Sequence, residues 1–72
     1  MTEHAPLSIW TVYNSPRDMP GMYVARRWEG DRPTADVFQA KTLQAVRDLL
    51  PPSMHRMPAQ PGDDPVIVET WF

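Results

Sequence analysis

The chain contains no cysteine, so disulfides, zinc ribbons and thiol chemistry are excluded. Glycine is scarce, with three residues, and none sits in a phosphate-cradling loop; a nucleophile elbow and an HExxH pair are also missing. No apolar run approaches the ~20 residues needed to span a bilayer. The opening residues MTEHAPLS have neither the basic nor the apolar part of a signal peptide. A cytoplasmic location and no membrane association are therefore expected. An excess of basic charge is lacking too. The net charge is −2, the opposite of what non-specific coating of nucleic acid requires.

The chain does have three tryptophans and nine prolines within 72 residues. That length makes one domain, which buries only about 60% of the surface its unfolded form exposes. Without disulfides or a metal, support must come from dense packing around large aromatics or from a partner subunit. The prolines stiffen the loops and lower the entropy of the unfolded chain.

Residues 1–7 are polar or small and read as a mobile arm; residues 8–72 read as a single α+β domain. Ser8–Tyr13 (SIWTVY) has strand composition, and NSPRDMPG must turn. Met22–Glu29 alternates Met22, Val24, Arg26 and Trp28 against Tyr23, Ala25 and Arg27. GDRPT reads as a turn, and residues 36–40 as a short third strand or a lead into a helix, the strand being favoured. Leu43, Val46 and Leu50 recur at helical spacing over Thr42–Leu50, with Thr42 as N-cap and Pro51 as stop. Residues 51–64 carry four prolines and read as irregular. Pro65 opens a last strand, with Val66, Val68, Thr70 and Phe72 on one face and Ile67, Glu69 and Trp71 on the other. The expected fold is α+β: a mainly antiparallel sheet of three or four strands in the order β-β-(β)-α-β, with one helix on one face. Because Val66, Val68 and Phe72 are apolar, the helix is expected on their side.

On this reading the other face is uncovered and carries the binding surface: Trp71, Glu69, Trp10, Tyr23 and Arg27, with Ile67 beside them. Aromatics interleaved with arginine suit stacking and interface hot spots; the bland alternative is that the rings wrap the edges of a small core. Parity puts Trp28 with Val24, as the core anchor, and Trp71 with Glu69, as a surface residue; Trp10 is left open. Glu69 is the anomaly. A carboxylate in mid-strand needs a partner if buried, and a cross-strand Arg26 or Arg27 is the expected one. Asp63, Asp64 and the distant His55 offer acid–base or metal chemistry, but Gly-Asp-Asp-Pro is also ordinary turn sequence. Neither histidine has a partner at metal-ligand spacing, so no catalytic residue, metal or cofactor is expected.

The segments IWTVY, YVARRWE and DDPVIVETW resemble a group of short bacterial proteins of unknown function, over most of the chain from Ile9 onward. That resemblance implies a cytoplasmic bacterial protein and no particular activity. The element order is also similar to small antitoxin domains of the HicB type, without any shared motif. The expected function is a non-enzymatic protein-interaction module working through an aromatic and charged sheet face or an edge strand. Its partner would be another protein or a second copy of the chain. A nucleic-acid-binding or antitoxin-like regulatory domain is the alternative.

Overall fold

The computed structural model describes residues 8–72; the arm expected at residues 1–7 lies outside the described residues. Strands β1 (Ser8–Asn14), β2 (Tyr23–Glu29) and β3 (Arg32–Ala40) are followed by helix α1 (Leu43–Asp48), then β4 (Arg56–Pro58) and β5 (Ile67–Trp71). All five strands form one antiparallel sheet in the order β3-β2-β1-β5-β4. This corrects the expected α+β fold of three or four strands. The domain is dominated by a five-stranded sheet, and its single helix has 6 residues.

The turn expected at GDRPT is shorter than its composition suggests. Glu29 pairs with Arg32, which leaves Gly30 and Asp31 as a two-residue hairpin. Gly30 takes φ 62°, as a turn with glycine in its first central position requires. Pro33 is tolerated just beyond because β3 is an edge strand, where a missing N–H breaks no inner ladder. The β2–β3 register shifts between Arg26 and Trp28. There the Arg27 carbonyl accepts from the Thr34 hydroxyl at 2.9 Å. The strand missed in the sequence, β4, has three residues and ends in Pro58. It holds because β5 supplies a partner on one side, with Arg56 opposite Trp71 and Met57 opposite Thr70.

The helix lies on the face opposite to the one expected. Trp10, Val12 and Ala25 are buried together with Val46 of α1, and Leu43, Leu50, Met54 and Val68 pack around them. Trp10 stacks on Phe38 with ring centroids 4.9 Å apart and planes 7° off parallel. Ala25, opposite both Val12 and Phe38, is small enough to leave room for that pair. Thr42 caps α1 by accepting the Ala45 N–H at 3.1 Å.

Strict alternation fails in β5, and this explains the inverted face. Val12 pairs with Glu69 but the next residue, Tyr13, pairs with Ile67. Val68 is therefore the extra residue of a bulge, which interrupts the two-residue period. Glu69 and Trp71 share the helix side with Val12 and Trp10, while Ile67, Thr70 and Phe72 turn away from it. No described helix is long and apolar enough to cross a membrane.

Gly30→Ala is expected to destabilise the domain by about 1 kcal/mol through backbone strain alone. No atom lies within 4 Å of the added Cβ, so a clash makes no contribution. In a thermal melt followed by circular dichroism the loss reads as roughly 4–8 °C.

Candidate functional site

The five residues singled out from the sequence do share one face. Trp10 stands opposite both Arg27 and Trp71, Glu69 opposite Val12, and Tyr23 opposite Asn14. It is the face that α1 and the chain after it cover, so these residues do not form the open surface expected of them. Trp10 keeps 4% of its surface and Glu69 1%. Trp71 and Tyr23 pack partly buried against the core. Arg27 is committed to Asp36 at 2.7 Å, with Glu29 3.7 Å away and the Ser8 hydroxyl at 3.3 Å.

Glu69 is paired, but with neither of the strand arginines. Arg47 from α1 donates through Nε at 2.8 Å and Nη2 at 2.6 Å, one bond to each carboxylate oxygen. The Trp71 indole N–H donates at 2.7 Å, and Arg56 of β4 stands 3.7 Å away. Burial pushes the Glu69 carboxyl up. The bonds from Arg47 and Trp71 and the charges of Arg47 and Arg56 outweigh it and hold the group below its ordinary value. The same bond to Glu69 raises Arg47. With its acceptors filled and its surface sealed, this cluster has the chemistry of a structural tie.

Among the described residues, no helix or second sheet lies over the opposite face. Parity and register place Ile9, Thr11 and Tyr13 of β1, Val24, Arg26 and Trp28 of β2, Val37 of β3, Ile67 and Thr70 of β5 and Met57 of β4 on it, and Val24 is fully buried there. Phe72 continues this side, exchanging two backbone bonds with His55 at 2.7 and 3.0 Å. Met57 at 39% and Phe72 at 42% are two of the three large exposed apolar residues among those described. Trp28, read from the sequence as the core anchor, lies here, and its indole N–H is buried with no hydrogen-bond partner among the described residues. Met57, Phe72 and Ile9 were not singled out in the sequence. Phe72 was misplaced because the bulge at Val68 breaks the parity of β5, and Met57 had no alternation to place it.

One end of this face is closed by the β1–β2 loop. Asp18 pairs with Arg26, and a cleft of about 510 Å³ separates Pro16 and Asp18 from Pro65 and Val66, above Tyr13 and Arg26. The charged pair in it is already satisfied. Asp63 and Asp64 do not join His55: they accept the backbone N–H groups of Gln60 at 2.8 Å and Val66 at 3.1 Å. Among the described residues, no group of three metal-ligating side chains comes together.

Glu69→Gln leaves Arg47 half-buried without its counter-charge, and is expected to cost about 2–3 kcal/mol, at or below the lower end for buried pairs. The folded-state pKa of Glu69 is depressed, so the unfolded chain binds its proton first as pH falls. The contribution is complete above the unfolded pKa and is lost as pH drops through the folded one. Urea denaturation of the wild type and the variant should show a gap at pH 7 that narrows below about pH 4.

Comparison of the chain with protein-family models, with curated proteins and with solved structures gives no match in any of the three, so the chemistry of these two faces carries the functional reading.

Proposed function

We propose that the chain is a non-enzymatic protein-interaction module that docks its partner on the uncovered sheet face. The observation carrying this reading is the exposure of Met57 and Phe72 on a face that also bears Ile9, Trp28 and Val37. A sheet is stable in water when its apolar face is buried against another layer. Among the described residues, α1 supplies that layer on one side. Contiguous apolar surface of a few hundred Å² marks an interaction site in small proteins.

Charge favours a protein partner over a nucleic acid. Arg26, Arg27, Arg47 and Arg56 are all in ion pairs with carboxylates. Arg17 lies in the β1–β2 loop, and Arg32 and Lys41 stand at or just beyond opposite ends of the nine-residue β3, ~30 Å apart at the usual rise, so these three cations are divided between the two ends of the sheet. Recognition of a phosphate backbone needs unpaired cations gathered on one surface. A bacterial cytoplasmic setting, from the resemblance carried by IWTVY, YVARRWE and DDPVIVETW, belongs to the same proposal.

Two measurements on the isolated chain at high dilution test the reading. The double variant Met57→Lys/Phe72→Lys should melt within about 4 °C of the wild type, since surface substitutions change stability by less than about 0.5 kcal/mol. Amide NMR spectra should not shift when a twelve-nucleotide single strand is added. A melting loss above about 10 °C would make the face part of the fold's own core. Oligonucleotide binding that weakens steeply with salt would favour the nucleic-acid alternative.

A further inference from the structure

Resting on the interaction reading, we infer that the occupant of the uncovered face is a second copy of this chain, the two sheets stacked face to face about a two-fold axis.

Three features of the molecule converge on this partner. The first is that lateral growth of the sheet is blocked at both edges. β3 carries Pro33 and a register shift, and β4 is three residues long and ends in Pro58. Proline, bulges and shortness are the devices that keep edge strands from pairing with other chains. The last strand, which could pair with another chain only if it lay at an edge, lies inside the sheet between β1 and β4. Stacking is the route left open.

The second is charge. Arg26 is the charged side chain that the register places on this face, and Asp18 of the same chain neutralises it. Two identical faces can therefore meet without setting like charges against each other. A partner chosen by opposite charge would instead need an uncompensated group here.

The third is size and relief. Five strands about 4.8 Å apart and roughly 20 Å long on average give a face of about 480 Å² in projection, less the end closed by the β1–β2 loop. Corrugated side chains raise the accessible area towards the ~800 Å² per partner of a standard interface. The relief also suits an isologous contact. Ile9 and Trp28 are paired neighbours in one row, with Phe72 beyond them, while the next row has Thr11 opposite Thr70 at its centre. The bulky row of one copy can seat over the threonines of the other, at the ~10 Å spacing of packed sheets.

Sedimentation equilibrium from about 5 μM to about 1 mM, the range where modest interfaces associate, tests the inference. The wild type should pass from the 8.3 kDa monomer to twice that mass. Met57→Lys and Phe72→Lys should each remain monomeric over the whole range with an unchanged far-UV spectrum. In the wild type, peroxide oxidation of Met57 should slow as concentration rises. A wild type that stays monomeric while both variants fold normally overturns self-docking and leaves the face to a different protein. A dimer that both lysine variants form as well as the wild type overturns it too, since the contact then lies elsewhere. Variants that fail to fold even when dilute overturn the interaction reading along with this one.

Discussion

The Glu69 carboxylate ties three elements of this domain together. Arg47 reaches it from α1, Arg56 from β4, and Trp71 from its own strand. A helix of 6 residues has too few internal bonds to persist in water. It stays folded because Val46 is fully buried in the core and Arg47 is clamped to the sheet by two bonds. Burying a carboxylate costs much of what its ion pair returns, so the tie adds less to net stability than its short bonds suggest. What it adds is orientation. Both sheet faces carry apolar side chains, with Trp10 and Val12 on one and Ile9 and Tyr13 on the other. Hydrophobicity alone does not choose between them. The carboxylate does, because the helix can satisfy it from one side only.

Once that choice is made, the rest of the surface follows. The residues with the richest binding chemistry, tryptophan beside arginine and glutamate, are used internally. The surface left to partners is plainer, made of isoleucine, methionine, phenylalanine and threonine around a neutralised arginine. Its attraction is desolvation, which is non-directional and scales with area.

Local signals in the sequence located most elements. Thr42 before an amphipathic run and Pro51 after it marked α1, and the β-branched and aromatic runs marked β1, β2 and β5. The five candidate residues also fell on one common face. Two things were not legible. Strand β4 has no alternation to detect, since three residues ending in proline become a strand only when β5 stands alongside. The side of the sheet that faces the helix was inverted, because parity was carried from Val66 to Phe72 across Val68. Bulges leave no mark in a β-branched run, and one extra residue is enough to exchange inside for outside. The partner of Glu69 was missed for a related reason. Arg47 is distant in sequence, and it falls among the polar positions of α1, which in an amphipathic helix ordinarily face solvent.

The bulge also bears on how much change in length this strand tolerates. Tyr13 pairs with Ile67 and Val12 with Glu69, so Val68 is the one residue between them that has no place in the ladder. A chain shortened by that residue would keep every ladder partner on either side of the gap, and the helix side would lose only the packing of Val68 itself. In most strands a single-residue deletion turns the remainder over. Here the frame of the sheet already contains the slack to absorb one.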